Sequence, residues 1–329
     1  MNIHDIAKLA GVSKSTVSRV ITKNGYVAPE SQKRVLQVME EVNYKPNMFA
    51  KGMRTNRSYS IGILFPDLSN PFFAEWYHVV EQISESKGYL NYICITDPYG
   101  KTEMKRIDDL LARSIDGIIY FSYQKQLDII TKLKAISKHT PVVCCDEMMI
   151  GEDLTHVCAD GKQGTYQATR YLIEKGRRRI AYIKGSDAYQ VAYSRYEGYL
   201  QAMKEAGLPV DGSLVFNGDF KMSDGMEAAS CFMKLANPPD AIMAATDLMA
   251  IGALNYLNAQ GIPVPEQVAV VGFDKLQGTT ETNPQLTTIE LPIETLAIHA
   301  IETLISQIEG DKAVIRKVFD CNLIVRQST

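Results

Sequence analysis

Residues 3–21 read IHDIAKLAGVSKSTVSRVI. Ile3, Ile6, Ala7 and Ala10 recur at helical spacing, with Asn2 placed to cap the helix and Asp5 three residues further on. Gly11 ends that helix. Ser13 can cap a second one over KSTVSRVITK, whose Val17, Val20 and Ile21 form the apolar side. A third follows in PESQKRVLQVMEEVNY, with Pro29 in its first turn and Val35, Val38, Met39 and Val42 facing inward. Its cap, Ala28, is a poor one that costs about 1 kcal/mol against Ser or Asp. A helix, a glycine turn and a second helix rich in small polar and basic residues is the helix-turn-helix layout. A recognition helix enters a groove about 12 Å wide, so its front residues must be slim or flexible. Lys14 and Ser15 are the first helical side chains and can point at base edges. Arg19 lies one turn on and can fork onto guanine. Thr16 and Ser18 suit phosphates. The spacing alone also fits an ordinary capped surface helix.

Working outward, the charge distribution agrees with a polyanion-binding front. Residues 1–60 hold ten Lys/Arg and four Asp/Glu; the remainder holds 25 and 34, giving a chain of net charge -3. A basic front on an acidic body suggests a nucleic-acid-binding module joined to something else. At 329 residues the chain suits two or three domains, and 46% hydrophobic residues suit a globular protein. No run of about 18 apolar residues predicts a membrane span, and the N-terminus lacks the apolar stretch of a secretory signal. A cytoplasmic location is expected. The six cysteines have no C-x-x-C spacing and read as reduced, mostly buried thiols. On a strand, Cys144 and Cys145 would point to opposite faces.

Residues 45–60, KPNMFAKGMRTNRSYS, look like a basic linker interrupted by Gly52. Beyond them the texture changes. SIGILF, LNYICI, DGIIYF and PVVCC are apolar runs separated by segments of helical period near 71–87, 102–113 and 125–138. RIAYIK, SLVFNG, DAIMAA and VAVVGF continue the pattern, with helices near 161–175, 190–206, 222–235 and 247–260. Such alternation means parallel sheets covered on both faces. Counting units does not separate one closed barrel from two Rossmann-like lobes. The last helix, 293–309, followed by a long strand-like tail at 314–325, argues for two lobes.

The strings IHDIAKLAGVSKSTVSRVI, YVAPESQKRVLQVMEEVNYKPN and SIGILFPDLSNPFF closely resemble the lactose-repressor (LacI/GalR-type) family of bacterial transcription regulators. The resemblance continues co-linearly through YLIEKGRRRIAYI, SRYEGYLQAM, ATDLMAIGAL, VAVVGFD and NPQLTTIELP. It implies an all-α helix-turn-helix headpiece plus an α/β core of two Rossmann-like lobes similar to periplasmic sugar-binding proteins. The headpiece would be 1–45 and the hinge 46–59. The core lobes would be 60–160 with 291–320, and 161–290 with 321–329. Lys14, Ser15 and Arg19 align with the family's base-reading residues, and PNMFAKGMR, starting at Pro46 and Asn47, with its hinge helix. There the family usually places a leucine that wedges into the minor groove, and this chain has Met53.

The resemblance also puts an effector in the cleft between lobes, and in open α/β folds ligands bind beyond the carboxyl ends of strands. Phe72 and Phe73 follow the first strand, and one of them is expected to line the cleft. Arg195 matches the family's ligand-binding arginine. Asp247 and Asp274 match polar cleft positions, and Asp146 stands where many members carry a polar or basic group. Three carboxylates facing one clear cation fit a neutral sugar or related polyol better than a phosphorylated one. Lys184 and Lys275 are the nearby cations that would alter that balance. The run Arg177–Arg179 reads as a solvated edge. No G-x-S-x-G, H-E-x-x-H or P-loop occurs, and the five histidines lack metal-ligand spacing. The expectation is a ligand-controlled repressor of carbohydrate-utilisation genes, not an enzyme, with no cofactor and no metal. Its partners would be double-stranded operator DNA, a small-molecule effector and a second copy of itself, with no membrane. No leucine heptads follow the last strand, which favours a homodimer over a tetramer. A sugar-binding receptor would need a signal sequence, and a sugar-acting enzyme a paired acid and base.

Overall fold

The computed structural model describes residues 1–22, 25–44 and 57–329. They form two units, Met1–Ser58 and Tyr59–Thr329, each taken by itself.

In the first unit α1 (Ile3–Leu9), α2 (Lys14–Thr22) and α3 (Pro29–Glu41) pack around Ile6, Ala7, Ala10, Val17, Val20 and Val35. Local chemistry sets the helix ends. Asn2 Oδ1 accepts from His4 N at 2.8 Å and Asp5 N at 3.3 Å, while Asp5 Oδ2 accepts from Asn2 N at 2.8 Å. This reciprocal box satisfies amides that a helix start leaves unpaired. Gly11, at φ +63, turns the chain out of α1. Ser13 Oγ then accepts from Thr16 N at 3.1 Å and starts α2. Ala28, as its side chain dictates, makes no capping bond to α3. The hinge residues singled out above, Asn47, Gly52 and Met53, lie outside the described residues.

The second unit contains two six-stranded sheets. The first runs β11 (Arg316–Phe319), β5 (Thr155–Ala159), β4 (Val142–Cys144), β3 (Gly117–Tyr120), β1 (Ser60–Phe65), β2 (Leu90–Ile95), with every neighbouring pair parallel. The second runs β12 (Asn322–Ile324), β10 (Thr287–Glu290), β9 (Ala269–Asp274), β8 (Ala241–Ala244), β6 (Ile180–Lys184), β7 (Val215–Asn217). Only β12 is antiparallel to its neighbour. Strands β1, β3, β8 and β9 are buried along their whole length, which is why they read as unbroken apolar runs.

Two sheets, not one barrel, follow from where the chain crosses. It leaves the first sheet after β5 and enters α7 (Gly161–Glu174), returns after β10 into α11 (Ile293–Glu309), and crosses again between β11 and β12. The tail expected as one long strand is therefore two short ones, broken at Asp320 and Cys321 where the chain changes sheets. The helices pack closely where glycine permits. A Cβ on Gly198 of α8 (Gln190–Glu205) would lie 2.1 Å from the Lys162 carbonyl oxygen of α7. One on Gly252 of α10 (Asp247–Ala259) would lie 2.0 Å from the Met222 carbonyl oxygen of α9 (Met222–Met233). The remaining helices are α4 (Pro71–Ser86), α5 (Glu103–Leu111) and α6 (Leu127–Ile136). The six cysteines are free thiols: Cys144, Cys158 and Cys321 are buried, Cys94 and Cys145 half-buried, and Cys231 is exposed.

Candidate functional site

In the headpiece, the periodicity of α2 separates two faces. Val17 and Val20 are buried in the small core, while Lys14, Ser15 and Arg19 are exposed. Thr16 and Ser18 are half-buried between them. The Ser13 hydroxyl also meets the hydroxyls of Ser15 at 2.7 Å and Thr16 at 2.8 Å, so the first turn presents an ordered cluster of small polar groups. The stem of Arg19 lies against Gly25, where an added Cβ would be 3.5 Å from Arg19 Cδ. The exposed face thus offers two cations and slim hydroxyls.

In the second unit, the carboxyl ends of strands from both sheets converge on one cavity. Phe72 and Phe73 come from the first turn of α4, which follows β1, Phe121 and Tyr123 from the turn after β3, and Cys145, Asp146 and Glu147 from the end of β4. The other sheet supplies Arg195 from α8, Phe220 from the turn after β7 and Asp274 from the end of β9. This is the place an open α/β sheet offers a ligand, because strand ends and helix starts leave backbone and short side chains free to face it.

Arg195 is the centre of the polar wall. Its side chain is 12% exposed and that of Asp274 3%. Nη1 donates to the Ala245 carbonyl oxygen at 2.5 Å and to Asp274 Oδ1 at 3.3 Å. The guanidinium carbon stands 3.8 Å from the centroid of the Phe273 ring, a cation–π contact that fixes its plane. Arg195 Nε and Asp274 Oδ2 are buried and have no hydrogen-bond partner. Unpaired buried donors and acceptors cost about 1–3 kcal/mol each, so these two atoms are poised for an added partner. Asp274 has φ +115 and the following Lys275 φ +61, a strained stretch of backbone at the cavity wall.

The carboxyls share one electrostatic situation. Burial raises Asp146 and Glu147 above the usual carboxylate range, and Arg195 only partly offsets it. Burial likewise raises Asp274, again opposed by Arg195. Asp146 Oδ2 accepts from Ser122 N at 2.6 Å, and Glu147 Oε2 from Gly161 N at 2.8 Å. Rings close the other side. Tyr123 and Tyr189 from opposite lobes lie 4.9 Å apart, and each meets Phe220, at 5.5 and 5.4 Å. Gln190 N donates to the Tyr123 carbonyl oxygen at 2.8 Å, joining the lobes through backbone as well.

Residues 58–322 match the model described as periplasmic binding proteins and sugar binding domain of the LacI family. Residues 2–47 match that of bacterial regulatory proteins, lacI family. The chain belongs to the LacI family. The repressor PurR of Pasteurella multocida (strain Pm70) is 33% identical to it over 334 residues, covering 99% of this chain and 98% of that protein. The probable repressor ExuR of Bacillus subtilis (strain 168) is 31% identical, covering 100% and 98%. Among solved structures, the regulator CelR in complex with cellobiose matches over 100% of both chains, with 29% identity and a TM-score of 0.73. The lac repressor dimer bound to operator and the anti-inducer ONPF matches over 100% of this chain and 98% of that one. Its TM-score is 0.89 at 22% identity, a likeness of fold.

In this LacI-family regulator, Phe72, Phe73, Asp146, Arg195 and Asp274 meet at the cavity. Both phenylalanines line it, where one was expected: Phe73 is buried in the core and still lines the cavity. Asp247 is a correction. It is fully buried behind the wall, where Oδ2 accepts from Leu276 N at 2.8 Å and Oδ1 from the Thr288 hydroxyl at 2.6 Å. As the first residue of α10 it anchors the turn after β9, beneath the cavity. Neither Lys184 nor Lys275 lines the cavity; they pair with Asp187 and Glu290. Sequence reasoning missed Glu147, Phe121, Tyr123 and Phe220. For Glu147 a signal was present, since it directly follows Asp146 at a strand end. No helix among the described residues is long and apolar enough to cross a membrane.

Proposed function

We propose that this chain is a repressor of carbohydrate-utilisation genes whose operator affinity is set by a neutral sugar or related polyol bound between the core lobes. The observation that carries the reading is the cavity wall. The buried carboxyl of Asp274, the half-buried ones of Asp146 and Glu147 and one guanidinium line a cavity together with a set of rings, which suits a ligand with many hydroxyl donors and an apolar ring face. A phosphorylated ligand would add negative charge beside Asp146, Glu147 and Asp274, with Arg195 as the one cation on that wall. Phe72, Phe73, Asp146, Arg195 and Asp274 are the proposed contacts, joined by Glu147; Asp247 acts behind them. Lys14, Ser15 and Arg19 are the proposed base-reading residues, with Thr16 and Ser18 at phosphates. Asn47 and Met53 rest on the family resemblance alone.

A homodimer is proposed as the working form. Leu90, Tyr92, Ile93 and Ile95 are exposed on β2, the edge strand of the first sheet. An apolar edge of that kind calls for a partner, and a second copy would bring two headpieces to two half-sites. Ligand binding would then act through lobe closure on the segment that joins core to headpiece. The test is a thermal-shift screen of the full chain with sugars, polyols, sugar acids, nucleosides and sugar phosphates. A neutral sugar or polyol should give the largest rise in melting temperature, because a ligand bound to the folded state alone stabilises it by mass action. A sugar phosphate or sugar acid giving the largest rise would overturn the neutral-ligand reading.

A further inference from the structure

Behind the cavity, α5 opens with Glu103, a fully buried carboxyl that does not line it. Nothing in the headpiece or the ligand reading uses this residue, and burying a carboxylate is costly without several donors. Glu103 has them. Its Oε2 accepts from the Tyr120 hydroxyl at 2.7 Å, and its Oε1 accepts a short bond from the Ser122 hydroxyl. Because Ser122 Oγ gives its one proton to Glu103, its lone pairs are left to accept from Gln124 N at 2.9 Å. The backbone N of the same serine donates to Asp146 Oδ2 at 2.6 Å. One buried acceptor therefore orders a turn, residues 121–124, that carries Phe121 and Tyr123 into the cavity and fixes the carboxyl of Asp146 at its wall.

We propose that Glu103 is a positioning residue for effector recognition, acting through Ser122 on Asp146, Phe121 and Tyr123. The inference rests on the reading that this cavity is the effector site, and it adds a residue outside the cavity to that site's machinery. Geometry also gives a spectroscopic handle. Trp76, the single tryptophan of the chain, is buried with its ring edge-on to Phe121 at 4.9 Å. Movement of the 121–124 turn should reach its emission.

The experiment uses the full chain and four variants: Glu103→Ala, Glu103→Gln, Ser122→Ala and Tyr120→Phe, with the Glu103→Gln/Ser122→Ala double. Calorimetry is run with D-glucose, D-ribose, cellobiose and D-glucitol at a temperature where every variant is folded. For the tightest of the four, Glu103→Gln and Ser122→Ala should each weaken binding about tenfold. The double should lose no more than the worse single, because both cut one chain of contacts. Tyr120→Phe removes a hydroxyl on the far side of Glu103 and should stay within about twofold. Glu103→Ala should be weaker than Glu103→Gln, whose amide oxygen still accepts one hydroxyl. Trp76 emission should shift in Glu103→Gln and Ser122→Ala and stay put in Tyr120→Phe. Wild-type affinity in Glu103→Gln, or losses that add fully in the double, would overturn the proposal and leave Glu103 a stabilising residue only. If Glu103→Gln fails to fold, Ser122→Ala alone decides by the same two readouts. If none of the four ligands binds wild type, the neutral-carbohydrate reading fails. Glu103 is then judged on Trp76: an unshifted emission in Glu103→Gln and Ser122→Ala overturns its role, and a shift in both supports it.

Discussion

Replacing Arg195 by alanine should destabilise the core by an amount that depends on pH. The guanidinium is the cation nearest Asp274, whose side chain is 3% exposed. Breaking a buried pair by removing one partner costs about 3–5 kcal/mol when the other stays charged. Burial with Arg195 present already pushes Asp274 up to about 7. A carboxyl raised in the folded state favours folding at low pH and loses that contribution as pH rises through its folded value. At pH 5 Asp274 is protonated with or without Arg195, so little charge is abandoned. The cost should then be the cation–π contact with Phe273, about 1 kcal/mol, and the hydrogen bond to Ala245, about 1 kcal/mol. At pH 8 the variant must either keep an unpaired anion or hold a proton against the solvent, and the full cost of about 3–5 kcal/mol should appear. Urea unfolding followed by Trp76 emission at the two pH values measures both numbers. Adding Asp274→Asn to Arg195→Ala should recover most of the loss at pH 8 and little at pH 5. A destabilisation equal at both values, or unrelieved by Asp274→Asn, would refute the reasoning, since it would mean that the pair carries no net charge energy. Effector affinity should fall about 100-fold in both variants, as one or two charge-assisted bonds of about 1.5–3 kcal/mol each would be lost.

Three further outcomes are expected. Arg19→Ala should weaken operator binding by about 1–3 kcal/mol and relax sequence preference, while binding to random duplex changes by one charge only; gel-shift titrations on both DNAs would disprove a base contact if the two losses were equal. Ala28→Ser should stabilise the headpiece by about 1 kcal/mol, because α3 has no side-chain cap, and thermal unfolding of the headpiece transition reads it directly. Tyr189→Ala should speed effector association and dissociation in stopped-flow traces, because its ring contacts with Tyr123 and Tyr99 bridge the lobes; unchanged rates would show that these rings do not limit access.

What the sequence made legible was local. The caps at Asn2 and Ser13, the absent cap at Ala28 and the inward face of α2 follow from side-chain chemistry within four residues, and the structure has them. The apolar runs marked β1, β3, β4, β6, β8 and β9, whose residues are buried throughout; the interior strands β5 and β10, THVCA and TTIE, mix in polar residues and no run marked them. Periodicity alone left Val314 to Val325 as one strand-like tail, since a crossover leaves no period; the change of lobe between 320 and 321 came from the family resemblance, and β11 and β12 do fall in different sheets. The site divided along the same line. Asp146, Arg195 and Asp274 sit at strand ends or helix faces that the pattern located. Phe121, Tyr123 and Phe220 lie in turns, where no period marks a residue as facing a cavity; Phe220 even adopts φ +63, which nothing in an aromatic residue announces. Asp247 misled for the opposite reason. An aspartate opening a helix after a strand looks like a ligand contact, but Leu276 N and the Thr288 hydroxyl, 29 and 41 residues away in sequence, take both its oxygens.

The central claim is that a ligand in the interlobe cavity and an operator on the headpiece act on one equilibrium. Linkage makes this measurable, because each must change the other's affinity by the same factor. The direct measurement is calorimetric titration of the tightest neutral sugar or polyol into the wild-type chain, free and saturated with an operator selected from random duplex. Its affinities should differ by about 5–150-fold, and operator affinity should change by that same factor when the sugar is saturating. Equal sugar affinity with and without operator would contradict the account.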